Sequence, residues 1–152
     1  MTDYDFTDPP RPDQPVDPAE LLAAHHKILI EAGRKLDVLS LKTGSLNPIL
    51  QQAAEGQAAF QAEYGEMGHQ RWKDRSELLS KLLPEYTGFR EVCAYSGYHF
   101  PQVAKNLFES WWKSKAHWVW VNGRCDIWGL GMYQSAQTNL WYACGIFADR
   151  RK

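Results

Sequence analysis

Leu140-Trp-Tyr-Ala-Cys-Gly-Ile-Phe147 is the stretch that decides the fold. It is apolar at nearly every position and carries no charge, which predicts a last strand in the centre of a sheet. The polar run from Gln134 to Asn139 ahead of it predicts a loop. Ile127 to Tyr133 predicts another strand, where Gly129 and Gly131 mark a bulge or a close backbone approach. Further upstream, Asn122-Gly123 is a strong reversal signal, and with Trp118-Val-Trp-Val121 before it predicts a strand and a turn.

The first half of the chain has a different period. Asp17 is a good N-cap, Pro18 suits the first helical position, and Glu20 completes a capping box. Leu21, Leu22, Ala24, Ile28, Leu29 and Ala32 follow at helical spacing, and Gly33 lies near the end. His25 and His26 on this helix read more simply as structural residues than as ligands. Leu39 to Leu46 reads as a connection. Asn47-Pro48 starts a second, alanine-rich helix that runs out at Gly65-Glu-Met-Gly-His69. His69 is thereby placed at a helix C-terminus or just beyond, a position that favours imidazolium. Ser76 to Leu83 predicts a short helix stopped by Pro84, and Phe89 to Tyr95 an extended segment. Pro101 opens a third main helix, with Val103, Leu107 and Trp111 on one line and Ala104, Phe108 and Trp112 beside it. Ser114 to His117 is the turn that leaves it. Helices come first and strands gather at the end. That order predicts an α+β fold with an antiparallel sheet rather than alternating βαβ units.

The chain has 152 residues, of which 44% are hydrophobic and 13% aromatic, enough for one packed domain. Its formal net charge of −1 gives no basic excess for nucleic acid and no basic face for a membrane surface. No apolar run is long enough to span a bilayer. Residues 1–16 hold Pro9, Pro10, Pro12 and Pro15 among aspartates, which predicts an extended tail, either loose or docked as an arm on a neighbouring subunit. Residues 17–152 form the domain. The first residues do not read as a secretory signal, so the expectation is synthesis in the cytoplasm, with release by lysis or as part of a particle. Cys93, Cys125 and Cys144 form no CxxC pair and have apolar neighbours, so buried free thiols are expected. Six of the seven tryptophans lie between positions 111 and 141, as core residues or, alternatively, as a stacking wall for a ligand.

His69, Glu91 and His117 each fall where an element ends, and they are the candidate site. Two neutral imidazoles can bind zinc or a similar divalent ion, with a carboxylate as third ligand or orienting group. A histidine–glutamate pair can also act as general acid and base. The three can equally hydrogen-bond one another and do nothing more. Their spacing matches no HExxH-type motif, and the chain holds no GxSxG elbow, Walker loop or dinucleotide fingerprint. Ser114, three residues before His117, could serve as a nucleophile, but that spacing is common turn chemistry.

The order of several pieces resembles the CAP superfamily, the SCP or pathogenesis-related protein 1 domain, over about residues 19–148. The pieces are Leu46-Asn-Pro-Ile-Leu50-Gln-Gln-Ala-Ala ending in Glu66-Met-Gly-His69, then Arg90-Glu91-Val92-Cys93-Ala94, then Trp111-Trp-Lys-Ser114-Lys-Ala-His117. Trp128-Gly-Leu-Gly-Met132 and Leu140 to Phe147 complete the series. The resemblance implies an α-β-α sandwich, with a sheet of three to four antiparallel strands flanked by helices. It also implies a cleft with two histidines and two acidic residues. His69, Glu91 and His117 match three of these, and the fourth position falls on Ser114, which would line the cleft. The motif around Glu91 departs from the family's Gly-Glu-Asn on both sides. The implied expectation is a binding or structural module whose cleft holds a divalent metal such as zinc through His69 and His117. The missing signal adds the expectation of a phage virion component, anchored to other particle subunits by residues 1–16. The alternative is a metal-dependent hydrolase of peptide, ester or cell-wall bonds, with Glu91, His69 and His117 as its catalytic set.

Overall fold

The computed structural model describes residues 17–152. The tail expected at residues 1–16 lies outside them. The elements are α1 (Pro18–Lys35), α2 (Leu39–Thr43), β1 (Ser45–Leu46), α3 (Pro48–Tyr64), α4 (Trp72–Leu82), β2 (Tyr86–Ser96), α5 (Val103–Trp112), α6 (Lys115–Val121), β3 (Ile127–Gln134) and β4 (Trp141–Arg150). One sheet runs in the order β1-β3-β4-β2. This is an α+β fold, and β4 is central, as its apolar run predicts. The sheet is not wholly antiparallel, because the two-residue β1 lies parallel to β3.

Helices cover both faces of the sheet, and the alternation of strand residues assigns them. On one face, Val92, Ala94, Leu130, Met132, Ala143 and Phe147 pack with α1 and α5. On the other, Cys93, Cys144, Ile146 and Ala148 pack with Leu50, Ala54 and Ala58 of α3 and Leu79 of α4. The apolar stripe of α5 goes inward as its spacing requires, with Val103, Leu107, Phe108 and Trp111 all fully buried. The indole of Trp111 donates to the Cys93 carbonyl at 3.1 Å, so its burial leaves no orphan donor. On the opposite face α3 lies directly on β3. A β-carbon at Gly129 would collide with the backbone of Leu50 and Gln51, so the glycine permits the close approach.

Several local expectations fail, the turn at Ser114 to His117 among them, since α6 already starts at Lys115. Residues 118–121 are not a strand but most of α6, and Asn122-Gly123 ends that helix instead of turning a hairpin. Four consecutive apolar residues carry no period of their own, so packing decides between helix and strand. Trp118 and Val121, one turn apart, go inward, while Val119 and Trp120 are exposed. Asn122 gains a distant role: its Oδ1 accepts the Leu39 amide at 2.9 Å and caps α2, whose own N-cap, Val38, has no side chain for the task. The connection read at residues 39–46 therefore holds both α2 and β1. Pro101 lies in a turn ahead of α5, which begins at Val103.

Candidate functional site

The site forms where the α3–α4 loop crosses β2. Asn47 caps α3 at its start, accepting from the amides of Ile49 and Leu50. Gly65, in the left-handed conformation, ends it. Two buried glutamines of α3 then pin the loop that follows. Gln57 donates to the Gly68 carbonyl at 2.8 Å, and Gln61 accepts the Gly68 amide at 3.1 Å. His69 is thus in a fixed loop four residues beyond the C-cap, not on the last helical turn.

The loop delivers His69 to Glu91, a residue of β2 on the same face as Cys93. The ring Nδ1 stands 2.9 Å from Glu91 Oε1 and 3.7 Å from Cys93 Sγ. Glu91 is 3% exposed and would be an isolated buried charge without a partner. Arg75 of α4 supplies that partner, with one guanidinium nitrogen on each carboxylate oxygen. Arg75 is itself held by the Gln70 carbonyl at 3.1 Å and lies over the Trp72 ring at 5.1 Å. Burial alone would push the Glu91 carboxyl up, but hydrogen bonds from Arg75 and then His69 hold it below its ordinary value. Glu91 is therefore a carboxylate and only accepts, so Nδ1 of His69 carries the proton. Hydrogen bonding to Cys93 and to Glu91 raises the His69 imidazole to about 10, against the effect of its burial.

Above this cluster lies an open cavity of about 660 Å³. His69 and Glu91 form its polar floor, and Trp72, Phe89 and Trp120 its aromatic walls. Of the tryptophans between positions 111 and 141, Trp111, Trp128 and Trp141 are core, while Trp120 lines the cavity together with Trp72. His117 stands on α6, half-buried. Its imidazole is depressed by burial and then by the charge of His69, which puts it within electrostatic reach but outside the hydrogen-bonded cluster. Ser114 sits just ahead of α6, where its carbonyl accepts the Trp118 amide at 2.8 Å. Neither His117 nor Ser114 lines the cavity. All three cysteines are buried and free, as expected.

The donor atoms of His69, Glu91 and Cys93 lie within 4.8 Å of one another. As a ligand set they fit a cation poorly, because Arg75 occupies both Glu91 oxygens. The arrangement fits a different use better. A carboxylate that takes Nδ1–H fixes the ring and leaves Nε2 unengaged, as a donor in the imidazolium and as a ligand atom once that proton is lost. Sequence reasoning did not find Arg75, Gln57 or Gln61. No motif spacing ties Arg75 to Glu91, since the helix and strand meet only in the folded chain.

No family model and no curated protein sequence matches the chain. Among solved structures it is similar to an outer surface protein from Borrelia burgdorferi, with a TM-score of 0.62 and 17% identity. The likeness covers 90% of this chain and 97% of that one. At this identity it speaks to the fold alone. Among the described residues no helix is long and apolar enough to cross a membrane.

Proposed function

We propose that the chain is a CAP-like binding module whose cleft takes a divalent metal such as zinc at His69, with His117 as second ligand. The observation that carries this reading is the chain of contacts from Arg75 to Glu91 to His69 Nδ1, which orients the imidazole and leaves Nε2 to the cavity. The depressed His117 is neutral near pH 7, whereas His69, raised to about 10, must give up its Nε2 proton to the metal, so zinc should bind more tightly as pH rises. Bound there, the metal would supply a Lewis-acidic point for a ligand donor atom. The hydrolase alternative has less support, because Glu91, its intended base, is engaged on both oxygens and nearly buried. Anchoring to other virion or particle subunits through residues 1–16 remains part of the proposal.

Calorimetric titration with zinc chloride tests the reading on the wild type, His69→Ala and His117→Ala. The wild type should bind one equivalent, and each variant, which loses a ligand itself, should bind at least roughly a hundredfold more weakly, beyond the tenfold to hundredfold that a lost outer-shell partner costs. Equal, negligible heats from all three would sink it.

A further inference from the structure

On the other side of the molecule, between α1, β1 and α3, lies a groove of about 510 Å³. Its floor is apolar, with Ala19, Leu22, Ala23 and Ile30 from α1 and Leu46 from β1. Lys27, Glu31 and Arg34 of α1 and Gln51 of α3 give it a polar rim, and within it His26 of α1 faces Glu55 of α3, with Nε2 and Oε1 3.8 Å apart.

His26 is 5% exposed. Its Nδ1 accepts the backbone N–H of Met132 at 3.1 Å, so the neutral ring carries its proton on Nε2. That N–H is buried and has no hydrogen-bond partner among the described residues. A buried donor left unmade is costly, and native structures rarely tolerate one without an occupant to accept it. Glu55 does not fill the role, since 3.8 Å is beyond a hydrogen bond. One of its oxygens, Oε2, already accepts from Gln51 at 2.9 Å, which leaves Oε1 available.

These two atoms select the chemistry of an occupant. A metal on Nε2 would force the proton onto Nδ1, against the Met132 N–H, so a metal is excluded. A carboxylate or phosphate could reach Lys27 and Arg34 on the rim, but at Nε2 it would meet the charge of Glu55 3.8 Å away. A ketone would accept from Nε2–H but give Glu55 nothing. A hydroxyl accepts from the first and donates to the second. Water has the same two faculties but makes no use of the apolar floor. Nε2 is sealed from the groove, so Glu55, with its side chain 37% exposed, must release Gln51 and turn aside to admit the group between them.

We propose that this groove binds a small apolar alcohol, its hydroxyl bridging His26 Nε2–H and Glu55 Oε1 and its hydrocarbon lying on Ala19, Ala23 and Leu46. Cyclohexanol is the probe, titrated into the isotope-labelled full chain while amide shifts are followed. Saturable shifts are expected at Ala19, Ala23, Glu55 and Met132. Cyclohexanone, which can only accept, should bind roughly tenfold more weakly, the worth of one hydrogen bond to a charged group. Glu55→Leu should reduce cyclohexanol to the level of the ketone, and Ala23→Leu, which fills the floor, should abolish saturable binding. The ratio of alcohol to ketone in the wild type decides the matter if either variant fails to fold. Equal affinities for the two probes, linear shifts without saturation, or a groove occupied by water only would overturn the proposal.

Discussion

Two regions of this molecule pair a histidine with a glutamate, and they do so in opposite senses. In the cleft the carboxylate is the buried member: the Glu91 side chain is 1% exposed and that of His69 45%. In the groove the imidazole is buried: the His26 side chain is 6% exposed and that of Glu55 37%. The buried member settles the charge of each pair. A buried carboxylate needs a permanent cation, and Arg75 provides it, so the cleft is an ionic network. A buried imidazole is instead driven neutral, and His26 is depressed chiefly by burial. The same two side chains thus make a charged anchor in one place and a neutral donor in the other.

The largest effect that tests this contrast is loss of the cleft's permanent cation. Arg75→Met leaves Glu91 buried and unpaired apart from His69, and should cost about 3–5 kcal/mol in urea unfolding. Arg75→Met combined with Glu91→Met replaces the pair by apolar volume and should recover most of that loss. A single variant within about 1 kcal/mol of wild type would mean that Glu91 is not a buried charge held by Arg75.

A smaller effect concerns pH. The imidazole of His69 is raised from 6.5 to about 10 by Cys93 and Glu91. The folded chain therefore binds this proton more tightly than the unfolded chain does. The associated stability is fully present below about pH 6.5, and it is lost as pH rises through the folded value near 10. Because the ring is half-exposed, the amplitude is modest. Thermal melts at rising pH should show the wild type losing part of its advantage over His69→Gln across this window. Parallel curves would place the ring outside the ionic network.

Much of this was legible in the chain. The caps at Asp17 and Asn47, the stripe of α5 and the apolar run of β4 each state their structure locally, and so give the α+β order. His69 and Glu91 were legible as members of one candidate cluster, since each falls where an element ends, but His117, read together with them, stands outside the hydrogen-bonded set. Arg75 was not, because its partner is 16 residues away on another element, and only tertiary packing joins them. Residues 118–121 were misread as a strand because Trp and Val favour strands intrinsically, while here one helical face meets the core. The orphan on His26 was invisible for a third reason. It arises from the Met132 amide, 106 residues along the chain, which takes the other ring nitrogen.

The smallest effect is the sharpest test of the contrast. Glu55→Gln removes the charge beside His26 but keeps the size and the acceptor oxygen. If His26 is neutral, no ion pair is lost, because 3.8 Å separates a neutral N–H from a partly solvated carboxylate. A glutamine can also still accept from Gln51. Urea unfolding should then shift by no more than about 0.5 kcal/mol, as for surface substitutions generally. His26→Phe should cost more, about 1–3 kcal/mol, because it strands the buried Met132 amide. A loss above about 1 kcal/mol in Glu55→Gln would mean that His26 is charged and ion-paired. The two histidine–glutamate pairs would then be alike, and the burial rule that separates them would fail.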